Sequence, residues 1–123
     1  MLNVLKINFV KLLPYKTVAS VFTGAGGFGF TDGKADSAKF NVITDFAIDP
    51  FGNLWATDCN NNAVRMITPD GTVTTIAGGT QGYADGEGTQ AEFFSPYGIA
   101  IDKKGIVYVS DMGNNRIRKI EYK

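Results

Sequence analysis

The sequence predicts an all-β chain built from repeated four-stranded antiparallel sheets. Three observations carry that expectation. First, the chain repeats itself: shifted by 53 residues, positions 29–67 lie over 82–120 without a gap, and 14 of the 39 pairs are identical. Second, the apolar stretches are short, rich in β-branched residues and separated by turn residues. Third, no long segment shows the 3.6-residue period of an amphipathic helix.

The identities fall at fixed places within each unit. They include Gly29/Gly82, Asp32/Asp85, Gly33/Gly86, Ala38/Ala91, Phe40/Phe93, Asp49/Asp102, Asp58/Asp111, Asn61/Asn114, Asn62/Asn115 and Arg65/Arg118. Conservative pairs such as Trp55/Tyr108 and Val64/Ile117 join them. In chain order the first unit reads as a strand at 46–49, a turn at 50–53, and a strand at 54–57. A polar turn at 58–62 and a strand at 63–68 follow. Pro69-Asp70-Gly71 makes the next turn, and 72–77 the outer strand. The second unit mirrors it with strands at 99–102, 107–110 and 116–121, and then stops. One helical turn is expected at 35–40 and again at 88–93. Four antiparallel strands followed by a Gly-rich link make one propeller blade. The stretch 17–23 (TVASVFT) matches 72–77 (TVTTIA) as an outer strand, and 4–7 matches 64–67 as the strand before it. The resulting division is 1–24 as strands of a preceding or closing blade, 25–78 as one blade with its link, and 79–123 as a second blade without its outer strand. Propellers close with about four or more blades. Two routes stay open: a stretch of a longer propeller, or several copies in a ring.

The pattern Gly98-Ile99-Ala100-Ile101-Asp102, Gly105, Val107-Tyr108-Val109-Ser110-Asp111, Asn114-Asn115-Arg116-Ile117-Arg118-Lys119-Ile120 resembles an NHL repeat. The copy at 46–67 departs from it at Asp45, where the family carries Gly, and at Ala63, where it carries Arg. The resemblance implies a β-propeller of four-stranded blades. The long link at 78–93 resembles a subclass found in secreted or periplasmic bacterial proteins. Six blades are common in the family, so two blades per chain imply a homo-oligomer of three, with 17–23 completing a neighbour's last sheet.

Composition narrows the chemistry. Twelve basic residues balance twelve acidic ones, which argues against a nucleic-acid partner. The chain has no His, which removes Ser–His and Cys–His dyads and the commonest zinc ligand. Its single Cys59 cannot form an internal disulfide, aligns with Met112, and reads as a small filler. Residues 1–13 are interrupted by Asn3, Lys6, Asn8 and Lys11, so no signal-peptide core forms there, and no run is long enough to span a bilayer.

Each candidate site has a structural reading beside the functional one. The run Gly24-Ala25-Gly26-Gly27-Phe28-Gly29 satisfies G-x-G-x-x-G, but no helix is expected after it, and its repeat copy breaks the motif. The glycines read instead as a tight link. Asp58-Cys59-Asn60-Asn61-Asn62 begins like a calcium loop, yet Ala63 and Pro69 stand where Gly and Glu are needed. Asp58, Asn61, Asn62, Asp111, Asn114 and Asn115 therefore read as structural turn residues, with the aspartates accepting N–H bonds inside their own hairpins. Asp32, Asp85 and Glu87 read as link residues. No catalytic residue, metal site or cofactor is assigned.

Blades share scaffold and differ where they bind. Phe28, Phe30, Tyr83, Phe94 and Tyr97 lie in or beside the links and form the candidate partner surface, with core packing as the competing reading. The expected function is a non-catalytic module that binds a protein, peptide or glycan. The alternative is part of a propeller enzyme, a lyase or hydrolase, whose catalytic residues lie on other blades.

Overall fold

A computed structural model describes residues 16–122. The expected strand at 4–7 lies outside these residues. A short parallel pair, β1 (Gly27–Phe28) and β2 (Lys39–Phe40), opens the described chain. The first blade follows as an antiparallel sheet of β3 (Ile43–Ile48), β4 (Leu54–Asp58), β5 (Ala63–Ile67) and β6 (Val73–Gly78), in that order. The second blade holds β7 (Pro96–Ile101), β8 (Val107–Asp111) and β9 (Arg116–Ile120).

The two sheets repeat down to their irregularities. The β3–β4 ladder slips between Ile43 and Asp45, and the β7–β8 ladder slips between Pro96 and Gly98, 53 residues on. Left-handed backbone also recurs at that spacing, at Val42 and Ser95 and at Asn62 and Asn115. Asn suits that conformation, because its short polar side chain bonds locally. A β-branched Val does not, so Val42 is held there by its surroundings. Gly71 ends the Pro69-Asp70 turn at φ +90°, and a Cβ there would stand 2.8 Å from the Phe22 carbonyl. The expected helical turns are a hydrogen-bonded turn from Lys34 and a 3-10 turn at Gly88–Gln90. Residues 17–23, expected as a strand, lie outside every ladder of the described residues. A strand needs a neighbour to take up its N–H and C=O groups.

Strand alternation sorts each blade into two faces. Blade 1 presents Trp55, Val64 and Ala77 to blade 2, which answers with Ile99, Val107, Val109 and the link residues Ala91 and Phe93. The outer side of blade 1 buries Ala56, Ile67 and Val73 under Ala38 and Phe40 of its own link. Polar contacts tie the blades together. The Tyr97 carbonyl accepts from the Thr44 and Thr57 hydroxyls at 2.6 and 2.8 Å, and the Ile99 N–H donates to Asp45 Oδ2 at 3.0 Å.

The same repeat positions change burial at the ends of the arc. Val64 is fully buried between the blades, while its counterpart Ile117 on the free face of blade 2 is 72% exposed. Ile99 is 9% exposed, while its counterpart Phe46 on the free face of blade 1 is 59% exposed. Both ends of this two-blade arc therefore carry half of an interblade contact.

Candidate binding site

The polar residues common to both blades are used internally. Arg65 on β5 is fully buried and reaches Asp58 on β4 with Nη1 and Asp32 on the link with Nη2, the latter at 3.0 Å. It also donates to the Lys39 and Thr31 carbonyls. Its guanidinium lies between the rings of Phe30 and Phe40, 4.9 and 4.7 Å from their centroids. The second blade rebuilds the arrangement. Arg118 donates to Asp111 at 2.7 Å and to Asp85 at 3.0 Å, and it lies between Tyr83 and Phe93. A flat guanidinium with a fixed fork of donors can bridge two carboxylates and stack at once. This arginine staple fastens each link to its sheet.

The turn aspartates belong to the staple. Asp58 Oδ1 accepts the N–H of Asn41 at 2.8 Å, and Asp111 Oδ1 accepts that of Phe94 at 2.8 Å. Those N–H groups come from the links, not from the hairpins as the sequence suggests. The hairpin supplies a side chain instead: Asn61 and Asn114 each donate to their aspartate at 2.8 Å and to a glycine carbonyl of the link. Burial pushes the Asp58 carboxyl above the ordinary carboxylate range, opposed by its donors Asn61, Asn41 and Arg65. Asn62 reaches the next blade, where its Oδ1 accepts the Ser95 N–H at 2.9 Å. Asn62 and Asn115 both stand in left-handed backbone at the ends of their 3-10 turns.

A second repeated device closes the opposite hairpins. Asp49 accepts from the Phe51 and Asn53 N–H groups and from the Trp55 indole. Asp102 accepts from Lys104, Ile106 and the Tyr108 hydroxyl in the same way. Partial burial raises the Asp49 carboxyl, but the donors Trp55, Asn53 and Phe51 outweigh it and leave the group below its ordinary value.

The remaining candidates separate by the same test. In the glycine run, a Cβ on Gly26 would meet the Ser37 carbonyl at 2.4 Å, so the link and its own turn pass too closely for a side chain. Cys59 is buried in the β4–β5 turn. Glu87 gives its backbone carbonyl to the Gln90 N–H. Phe30 and Tyr83 occupy equivalent positions and rest on the arginines. Phe28, Phe94 and Tyr97 have Gln81, Asn41 and Thr44 as their counterparts, so they are particular to their places. All three are exposed. Phe94 and Tyr97 flank the entry to β7, where the Phe94 carbonyl accepts the Gly113 N–H at 2.8 Å. Phe28 precedes Gly29, whose carbonyl takes the Asn61 amide. All three therefore belong to the end of the blades that carries the 59–61 and 112–114 turns. Among the described residues, no three His, Cys, Asp or Glu side chains gather as a metal cage, and no helix is long and apolar enough to cross a membrane.

Comparison with known proteins agrees with this anatomy. No family model matches the chain. It is 32% identical over 100 residues to human NHL repeat-containing protein 2, covering 73% of this chain and 14% of that protein. It is 35% identical over 72 residues to the chloroplastic protein Suppressor of Quenching 1 of Arabidopsis thaliana, covering 57% of this chain and 7% of that one. The crystal structure of an auxiliary nutrient binding protein from Bacteroides ovatus superposes with a TM-score of 0.69 at 33% identity, over 76% of this chain and 26% of that one. The chain thus spans a small part of the relatives it matches. With the 53-residue unit, two antiparallel sheets of matching register and relatives that bear the repeat's name, the chain belongs to the NHL-repeat β-propellers.

Proposed function

We propose that the chain is a non-catalytic binding module that receives a peptide, protein surface or glycan on the blade end carrying Phe28, Phe94 and Tyr97. One observation carries the reading. The repeated charged groups are consumed by the two staples and by the Asp49 and Asp102 hairpins, whereas these three aromatics are unrepeated and exposed. Exposed aromatics offer large contact area at small entropic cost, which suits recognition of sugar rings and extended peptides. The Bacteroides ovatus relative is by name an auxiliary nutrient binding protein, which supports a binding role.

The test is a panel of oligosaccharides and peptides titrated against the chain and its Phe94→Ala/Tyr97→Ala variant. A binder is expected whose affinity falls at least tenfold in the variant while the melting temperature holds. That loss corresponds to about 1.4 kcal/mol. A panel without binders, or a variant that binds as well as the parent, contradicts the proposal.

A further inference from the structure

Phe94 and Gly113 of blade 2 stand 53 residues after Asn41 and Asn60 of blade 1. The backbone joins both pairs in the same way. The Gly113 N–H donates to the Phe94 carbonyl at 2.8 Å, and the Asn60 N–H donates to the Asn41 carbonyl at 3.1 Å. The side chains differ, and they differ together. In blade 2 a Cβ on Gly113 would stand 2.5 Å from Phe94 Cγ and Cδ2, so the phenyl ring lies on the turn backbone where glycine leaves it room. In blade 1 Asn60 Nδ2 donates to Asn41 Oδ1 at 3.3 Å. One scaffold position thus holds a seated ring in one blade and a pair of amides in its neighbour.

The two adjoin. Asn62 Oδ1 accepts the Ser95 N–H at 2.9 Å, which ties the turn bearing Asn60 to the residue after Phe94. Ring and amides therefore flank the seam between blade 1 and blade 2, with a blade on either side of it, and not a free end of the arc. Within that seam Phe94 is 38% exposed, and Asn60 is exposed too. Asn60 Oδ1 and Asn41 Nδ2 have no hydrogen-bond partner among the described residues, so an acceptor and a donor stand side by side. Asp58 and Asp111, the carboxylates at the foot of the two turns, are buried and held by Arg65 and Arg118. The ring and the amides themselves are uncharged.

We propose that Phe94 and the Asn41–Asn60 pair form a subsite for one pyranose ring of a neutral glycan. The sugar lays its C–H face on Phe94, and its neighbouring hydroxyls bond the two amides. A ring backed by glycine is fixed before the ligand arrives, so little entropy is lost on stacking. Adjacent donor and acceptor atoms match adjacent hydroxyls, each of which both donates and accepts. An extended peptide fits less well, because it needs backbone groups to pair with. The Phe94 N–H is taken by Asp111, the Phe94 carbonyl by Gly113 and the Ser95 N–H by Asn62. The assignment rests on the aromatic blade end being a binding surface, and it narrows the ligand to one class.

The chain is applied to an array of neutral oligosaccharides, acidic oligosaccharides and peptides. Each binder is then titrated by calorimetry against Asn41→Ala/Asn60→Ala and Phe94→Leu. Binding confined to neutral oligosaccharides is expected, with affinity falling at least tenfold in each variant. Binding confined to peptides or to acidic glycans overturns the assignment while leaving the aromatic end a binding surface. Neutral-glycan binding that is unchanged in Asn41→Ala/Asn60→Ala does the same. An array without binders overturns the assignment and the binding role together. The two asparagines bond the scaffold through their backbone groups, which alanine retains, so this variant is folded even where Phe94→Leu is not. Circular dichroism melting verifies each variant.

Discussion

Arg65 and Asp58 show how much one buried pair does in this chain. Both are out of water, and Asp58 is the fully buried carboxylate that answers Arg65, whose second partner Asp32 is half-exposed. Removing one member of a buried pair costs about 3–5 kcal/mol, because the survivor loses its main buried counter-charge. Asp58→Ala is expected to lower stability by that order in denaturant titration, far beyond the ~1 kcal/mol of an ordinary turn hydrogen bond. Val42 works in the other direction. Its φ of +68° costs an L-residue roughly 1–2 kcal/mol, and half of its surface is exposed. Val42→Asn, which suits that backbone, is expected to raise stability by about 1 kcal/mol.

Asp49 ties residue chemistry to pH. Its carboxyl lies below the ordinary aspartate value of 3.8 in the folded chain, so folding favours the ionised form. The stabilisation is full above that value and fades as pH falls through the lower folded one. Asp49→Asn should therefore flatten the loss of stability in the acid range below about pH 4. The Trp55 indole bonded to Asp49 makes tryptophan fluorescence the readout. An unchanged acid limb contradicts the assignment.

At the scale of elements, the blade is what the sequence states most clearly. Short apolar runs split by Pro-Asp-Gly and Asp–Asn turns place seven strands, because alternation and turn chemistry are local. The staple is harder to read. Arg65 and Asp32 lie 33 residues apart, and no local rule joins them. The one signal for it is that Arg, both aspartates and the sandwiching aromatics recur together at the 53-residue spacing. Residues 17–23 show the converse: their pattern reads as a strand, but pairing depends on a neighbour that local sequence does not supply. The three unrepeated aromatics can be picked out by alignment, while their shared blade end needs coordinates. Between the blades, Thr57 is buried and its hydroxyl donates to Tyr97 across the interface. Thr57→Val keeps the shape and removes the donor. About 1 kcal/mol of destabilisation is expected in thermal or denaturant unfolding, and a neutral result would mean that the Thr57 hydroxyl adds nothing to the Thr44–Tyr97 contact across the interface.

At the scale of the whole molecule, the two ends of the arc decide the behaviour. Phe46 and Ile48 on one end and Tyr108 and Ile117 on the other repeat a contact already made inside the chain. Faces of this kind associate or aggregate when left open. Two blades fall short of the about four or more that close a propeller, so blades from the same polypeptide or from other copies complete it. The six-blade ring expected from the family resemblance takes three copies of this pair of blades. Multi-angle light scattering on the purified chain tests this most directly. With a chain mass of 13.2 kDa, a single species of about 40 kDa is the expected result, falling toward the chain mass when residues 1–24 are deleted. A monodisperse 13.2 kDa monomer that persists at high concentration would contradict the account, since it would mean that these two faces need no partner.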